Sequence, residues 1–221
     1  MRHVLVLVPI AIVISVSSVA AQNPNVTAAS CNIADNPETY DRRDREAACL
    51  REFGTRARRM GNVLSLKLDD GRTKIFRNDP CPEEEDTENK KCVDYYLVGF
   101  HPVSRRYMVH ASLYQGYECQ LVSARTGNVT TLPNTPIFAP DGTTFFVDWY
   151  DASHAQWIAI GSVASDPPSL NWKTGPLPNQ SWILLRWISN SQIALRDATR
   201  TDNRGATIKR TNSGWALERL P

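Results

Sequence analysis

Hydrophobic residues along the chain change their spacing at Gly61. From Pro37 to about Met60 they recur at three- to seven-residue steps among helix-forming residues, which predicts one helix. Asn36 before Pro37 supplies an N-cap followed by proline at the first helical position. Beyond Gly61 the period falls to two, and short alternating runs follow one another, separated by Asp-Gly, Thr-Gly and Ser-Gly turns; the runs at 106–113, 129–132 and 144–150 are examples. This pattern predicts an all-β domain preceded by one helix.

Two segments of the β region share one skeleton. FHPVSRRYMV begins at Phe100 and FAPDGTTFFV begins at Phe138, 38 residues later. Each places an aromatic residue and a proline before a turn, and an aromatic residue and a valine after it. A weaker copy has Trp187 in the first aromatic position. Repeated strand pairs of this kind predict repeated sheets.

The copy at Phe138-Ala139-Pro140-Asp141-Gly142, with Ser-Ala-Arg-Thr-Gly upstream at 123–127, resembles the aromatic-x-Pro-Asp-Gly repeat of TolB-type and WD-like β-propellers. The likeness extends over about Leu64 to Leu220. It implies a small or partial propeller-like array of antiparallel sheets. It also implies a protein–protein interaction module of the cell envelope or the extracellular space. A β-sandwich is the alternative fold.

The first residues have the layout of a secretory signal peptide. One positive charge at Arg2 precedes an apolar run from Val4 to about Val16, and small residues lead to cleavage after Ala21. We therefore expect three parts: a signal peptide at 1–21, a disulfide-tied segment with the helix at 22–61, and the β-repeat domain at 62–221. The protein is expected in the periplasm or outside the cell, with no membrane span after cleavage, because the apolar run is shorter than a bilayer requires.

Five cysteines follow the expected cleavage site. In an oxidising compartment closely spaced cysteines pair by default, so we expect Cys31 to pair with Cys49 and Cys81 with Cys92. Cys119 is then left over. It is expected to be a buried thiol in a strand, with a reactive or partner-linked thiol as the alternative.

Charge and motifs exclude several classes of function. The 25 Lys and Arg residues nearly balance the 23 Asp and Glu residues, so no nucleic-acid partner is expected. The Cys and His spacings do not fit zinc, and the acidic run at 83–86 lacks the ligand spacing of an EF-hand, so neither a metal nor another cofactor is expected. No HExxH, GxSxG or Walker motif occurs, and no catalytic residue is assigned.

Three residues are candidates for binding. All six tryptophans follow residue 148, and an indole offers a large apolar surface with one hydrogen-bond donor. Trp172 is expected in a stiff, exposed proline-rich loop, which makes it the first candidate contact residue. Trp149 and Asp151, in the run FFVDWYD, are the other two.

The sequence therefore favours an exported, non-catalytic module that binds a protein or a carbohydrate. Two alternatives remain. One is an inhibitor of a secreted enzyme that uses the loop 81–92. The other is an exported hydrolase or lyase whose acidic residues meet only in the folded protein.

Overall fold

The described residues form an all-β, propeller-like array of four antiparallel sheets with one helix. The structure, a computed structural model, describes residues 42–79, 92–114, 116–177, 181–199 and 205–219. The helix is α1 (Arg42–Glu52). Sheet 1 has three strands: β1 (Ala57–Met60), β2 (Val63–Lys67) and β3 (Thr73–Arg77). Sheet 2 contains β4 (Val93–His101), β5 (Arg106–Leu113), β6 (Gly116–Ser123) and β7 (Val129–Leu132). Sheet 3 contains β8 (Ile137–Phe138), β9 (Thr144–Tyr150), β10 (Gln156–Ser162) and β11 (Ser169–Lys173). Sheet 4 contains β12 (Trp182–Ser189), β13 (Gln192–Asp197), β14 (Gly205–Thr211) and β15 (Gly214–Arg219).

Three buried clusters join successive sheets face to face. The cluster between sheets 1 and 2 is built from side chains such as Leu64, Phe76 and Val109. A second one joins sheets 2 and 3, and a third joins sheets 3 and 4. Alternating residues of each strand point to opposite faces, so sheets 2 and 3 each contribute to two clusters. The sheets therefore follow one another in chain order.

The repeated aromatic residues occupy equivalent places in this array. Phe100, Phe138 and Trp187 each lie in the first strand of their sheet and are buried in the cluster shared with the preceding sheet. Each faces a large residue on the next strand, respectively Tyr107, Phe145 and Ile193. The repeat in the sequence thus encodes one packing unit used at three successive junctions.

The helix ends earlier in the structure than the sequence predicts. It was expected to reach about Met60, but α1 ends at Glu52, and Ala57–Met60 is the strand β1, paired with β2. The β1–β2 hairpin spans the expected boundary at residue 61. Ala57 is buried in the first cluster, so tertiary packing overrides the helix propensity of this arginine-rich segment. The beginning of the predicted helix, before residue 42, lies outside the described residues.

Sheet 1 corresponds to the last three strands of the other sheets. In sheets 2, 3 and 4 the turn after the first strand lies at the same end of the array as the β2–β3 turn. Because β1 and β2 are joined at the opposite end, the place of a first strand precedes β1. Helix α1 precedes it in the chain, and Phe53, just after the helix, packs edge-on against Phe100 of β4 with ring centroids 6.0 Å apart.

Polar contacts bridge the sheets at the end of the array that holds the β2–β3 turn. We call it the bridged end. Between sheets 1 and 2, the backbone N–H of Asp69 donates to the Ala124 carbonyl over 2.8 Å. The Asp69 carboxylate accepts two hydrogen bonds from Arg105. The Arg105 guanidinium holds the pKa of Asp69 below its usual value.

The next two junctions are bridged in the same way. Between sheets 2 and 3, the Asp166 carboxylate accepts from Thr126 Oγ1 over 2.6 Å and from Arg106 over 3.3 Å. Between sheets 3 and 4, the Asp141 N–H donates to Asn190 Oδ1 over 2.9 Å. Every junction thus has a polar link beside its apolar cluster.

His101 also lies at the bridged end. Its ring stacks on Phe138 at a centroid distance of 3.9 Å, and its Nδ1 is hydrogen-bonded to Ser104 Oγ over 2.9 Å. Burial lowers the pKa of His101 from 6.5 to about 4, partly offset by the nearby charge of Asp141.

The free energy of unfolding is therefore expected to fall as the pH drops from about 6.5 to about 4. In this range the unfolded chain binds a proton at residue 101 and the folded chain does not. One such group contributes a slope of at most about 1.4 kcal/mol per pH unit. Urea unfolding of the wild type and His101→Phe over this range measures the slope. Equal slopes in both proteins would contradict the assignment.

The two outermost sheet faces are uncovered. Met60 and Ile75 of sheet 1 are 61% and 55% exposed, and Leu185 of sheet 4 is 52% exposed. Among the described residues, no buried cluster joins sheet 4 to sheet 1. The described sheets form an open series.

Candidate binding site at the open end

The end of the array opposite the bridged end carries exposed aromatic side chains. We call it the open end; it includes the turn at 61–62, the start of β4, Tyr114 after β5, and the turn at 151–155. Tyr117 is 54% exposed, Tyr150 51% and Tyr114 48%. Aromatic side chains exposed on one end are a common feature of recognition surfaces.

A cavity of about 700 Å³ lies at this end, between α1, sheet 1 and β4. Helix α1 contributes one face to its wall, with residues at helical spacing. Tyrosines of β4 and asparagines next to β2 and β3 complete it. The lining residues are Arg43, Glu46, Ala47, Leu50, Arg59, Gly61, Asn62, Asn78, Asp94, Tyr95 and Tyr96.

The floor of the cavity is a polar cluster along the edge of β4 that no other described strand pairs with. Glu46 Oε1 accepts a hydrogen bond from the Leu97 N–H over 2.9 Å. Asn78 Oδ1 accepts one from the Tyr95 N–H over 3.0 Å, and Arg59 donates to the Tyr95 carbonyl over 2.5 Å. These side chains take the place that a neighbouring strand would fill, because a buried edge cannot leave its backbone groups unpaired.

Glu46 and Arg59 form a two-pronged ion pair in this cluster. Arg59 Nε donates to Glu46 Oε2 over 2.9 Å and its Nη2 to Oε1 over 2.5 Å. The two side chains are 11% and 17% exposed, so water screens the pair little. With Arg43 and Asp94 at the rim, the formal charges of the lining residues cancel. The cavity therefore suits a neutral or zwitterionic polar group.

A histidine network extends the site toward sheet 3. His110 Nδ1 is hydrogen-bonded to Tyr96 Oη over 2.8 Å, and its Nε2 is hydrogen-bonded to Thr135 Oγ1. Tyr117 stacks on the imidazole, with ring centroids 5.8 Å apart. Because both ring nitrogens are engaged, the imidazole positions Tyr96 at the cavity rim.

Trp149 lies at the same end, on sheet 3. It faces Trp157 across β9 and β10, with the rings nearly parallel (10°) and 6.0 Å apart. The Lys173 ammonium lies 5.3 Å above the Trp157 ring. Both indoles are half-buried, so the Trp149–Trp157 pair is partly exposed to a ligand and partly packed against the protein.

Asp151 holds the turn between these strands. Its Oδ1 accepts from the N–H groups of Ser153 and Ala155, over 2.9 and 3.1 Å, and its Oδ2 accepts from Trp157 Nε1 over 2.8 Å. Hydrogen bonds from Ser153 and then Trp157 lower the pKa of Asp151 to about 2. Its carboxylate is therefore engaged in shaping the turn and in orienting Trp157.

The predicted position of Trp172 in an exposed loop is wrong. Trp172 lies in β11, pairs with Ile160, and is half-buried against the cluster between sheets 3 and 4. The prolines at 167 and 168 precede Ser169 and those at 176 and 178 follow Lys173, which leaves five residues free to pair in an edge strand. The Trp172 side chain therefore packs against its neighbours to a greater extent than the sequence predicts.

Trp172→Ala is therefore expected to lower the free energy of unfolding by about 1–3 kcal/mol, less than a fully buried tryptophan would cost. Leu170→Ala is the matched control, since Leu170 is on the same strand and 46% exposed; its change is expected within about 0.5 kcal/mol. Urea unfolding compares the two. An unchanged midpoint for Trp172→Ala would return this residue to the list of exposed contacts.

The structure describes three of the five cysteines. Cys49 and Cys92 are buried and disulfide-bonded. Their expected partners, Cys31 and Cys81, lie outside the described residues, so the pairing remains a prediction. Cys119 is a buried free thiol in β6. Burial raises the pKa of Cys119 to about 12.

Cys119 is consequently expected to resist alkylation in the folded protein at pH 8, because the thiolate is the reactive form. After denaturation without reductant, one thiol per chain should react, which mass spectrometry detects. Rapid labelling of Cys119 in the native protein would contradict its burial. More than one reactive thiol after denaturation would contradict the predicted disulfides.

Glu46 and Arg59 were missed by the sequence reasoning. The available signal was a glutamate in the helical stripe that also contains Arg43, Ala47 and Leu50, at steps of three and four. A carboxylate on a face that packs against a sheet needs a partner. The identity of that partner, thirteen residues away in a strand, is set by the tertiary fold.

The described residues contain no group of three or more His, Cys, Asp or Glu side chains arranged to hold a metal ion. Their one helix, α1, is too short and too polar to cross a bilayer. No protein family model, no curated protein and no solved structure matches this chain. The loop 81–92, on which the inhibitor alternative depends, lies mostly outside the described residues.

Proposed function

We propose that this protein is an exported, non-catalytic module that binds a protein or small polar ligand at its open end. The observation that carries the proposal is the cavity of about 700 Å³ beside β4, the first strand of sheet 2. Its size is within the range of ligand pockets, and it combines apolar, aromatic and amide side chains.

The polar groups of the cavity floor support binding rather than catalysis. Glu46 is committed to Arg59 and to the Leu97 N–H. A general base must reach a proton of its substrate, and a carboxylate with these three bonds is held in place for structure. Export rests on the leader-like segment 1–21.

Site-specific photo-crosslinking in producing cells tests this proposal. A benzophenone amino acid replaces Ala47, an exposed residue of the cavity wall, and in a second protein replaces Arg125, an exposed residue of the bridged end. We expect a discrete crosslinked product from position 47 and none from position 125. Products from both positions in equal yield, or none from position 47, would contradict binding at the open end.

A further inference from the structure

The outer face of sheet 1 has an unusual composition. Residues paired across its strands share a face, so the register defines three rows on the side away from sheet 2. The rows are Arg58–Ser65–Ile75, Met60–Val63–Arg77 and Lys67–Thr73. Every charged side chain in these three rows is basic, and large apolar side chains lie among them.

The basic side chains of this face are not neutralised within the described structure. Arg58, Lys67 and Arg77 are exposed and form no ion pair with a described carboxylate. Several other arginines of sheets 1 and 2 are paired, as Arg59 is with Glu46 and Arg105 with Asp69. The chain as a whole is nearly neutral, so this face concentrates positive charge.

Among the described sheets, the other uncovered face does not complement this one. It belongs to sheet 4 and has Ile183, Leu185 and Ile188 exposed. The register places Arg186 and Arg196 on it too, and the one carboxylate on it among the described residues, Glu218, is bound to Lys209 over 2.8 Å. Two faces of net positive charge repel one another, and like charges opposed at an interface cost several kcal/mol.

We propose that the outer face of sheet 1 docks an acidic protein surface, with Met60 and Ile75 as apolar anchors. Arginine and methionine are enriched in protein interfaces and lysine is depleted, which matches two arginines, one lysine and one methionine here. Arginine also binds carboxylates with two parallel hydrogen bonds, and a fixed sheet spaces the guanidinium groups for this. The face measures only about 10 by 16 Å, so the contact is a small, transient one.

The proposal names a surface and a partner chemistry beyond the cavity of the proposed function. It uses none of the cavity residues. If no acidic protein docks on sheet 1, crosslinking from position 47 is unaffected. If the cavity binds nothing, crosslinking from position 75 is unaffected.

The test places the photo-crosslinking amino acid at position 75 in producing cells. Three proteins are compared: the otherwise native chain, one with Arg58→Gln, Lys67→Gln and Arg77→Gln, and a control with Arg51→Gln, Arg125→Gln and Arg210→Gln. The control loses the same charge from exposed residues on other surfaces. Mass spectrometry identifies the product.

We expect one acidic protein to be crosslinked in the native and control chains, and its yield to fall at least about tenfold in the sheet 1 variant. Equal yields in all three chains, a neutral or basic product, or no product would overturn the proposal. A lipid surface is the competing source of negative charge. Flotation of the purified protein with vesicles containing about one-third phosphatidylglycerol, reduced in the sheet 1 variant alone, would likewise overturn it in favour of a membrane.

Discussion

Replacing Glu46 with alanine is expected to lower the free energy of unfolding by about 3–5 kcal/mol. The substitution leaves the Arg59 guanidinium without its carboxylate in a site where that side chain is 17% exposed. It also leaves the Leu97 N–H of β4, the edge strand of sheet 2, without its acceptor. Urea unfolding followed by tryptophan fluorescence measures the change, with an unchanged dependence on denaturant as the sign that the unfolded state is not altered.

Two further variants separate the charge from the hydrogen bond. Glu46→Gln keeps an acceptor for the Leu97 N–H and is expected to cost less than Glu46→Ala. The double variant Glu46→Leu with Arg59→Met removes both charges and should recover part of the loss, as buried ion pairs replaced by apolar residues often do. A loss below about 1 kcal/mol for Glu46→Ala would show that the cluster does not hold α1 against β4.

Gly161→Ala is expected to lower the free energy of unfolding by about 2–3 kcal/mol. Gly161 lies in β10, directly opposite Phe145 of β9. A methyl group at residue 161 would overlap the Phe145 ring, with Cε1 and Cε2 only 2.6 Å away. Phe145 is fully buried between sheets 2 and 3 and cannot move aside. Calorimetric and urea unfolding of the purified variant measure the effect.

The chain offers a matched control for this substitution. A methyl group on Gly175 would meet nothing within 4 Å, so Gly175→Ala should change stability by less than about 1 kcal/mol. Adding Phe145→Leu to Gly161→Ala should cost less than the two separate losses together, since the smaller side chain makes room. If the losses of the two single variants simply add in the double variant, the Phe145 ring does not contact residue 161.

The strands with clear alternation could be located from the sequence to within a residue or two. Arg106–Leu113, Val129–Leu132 and Thr144–Tyr150 lie where the pattern predicts them. The repeat of Phe100, Phe138 and Trp187 was also readable, because one packing unit requires the same residue types at each junction. Both signals arise from residues close together in the sequence, so they can be recognised without the structure.

The elements that were missed depend on tertiary contacts. Strand β1 has the sequence Ala-Arg-Arg-Met, which favours a helix, and only the burial of Ala57 against Leu66 opposes this. Strand β8 has only two residues, too few to show a period, and β11 lies between prolines that predict a loop.

The candidate site was only partly predictable. Trp149 and Asp151 do lie together at the open end, since they are close in the sequence and share one hairpin. The cavity could not be predicted, because it joins a helix at residues 43–50 to strands as distant as Tyr96. Its floor lies at the edge of the described sheet 2, and that β4 is this edge becomes evident only once the order of the strands is known.

The described sheets form an open series whose two outer faces are uncovered. Cysteines introduced singly in place of Ile75 and Leu185 test this directly, since the native Cys119 is buried. In the purified protein, both are expected to be alkylated within about twofold of the rate of a cysteine replacing the exposed Arg125. Labelling more than about tenfold slower at both positions would show that sheets 1 and 4 cover each other or a second copy, and would contradict the open array.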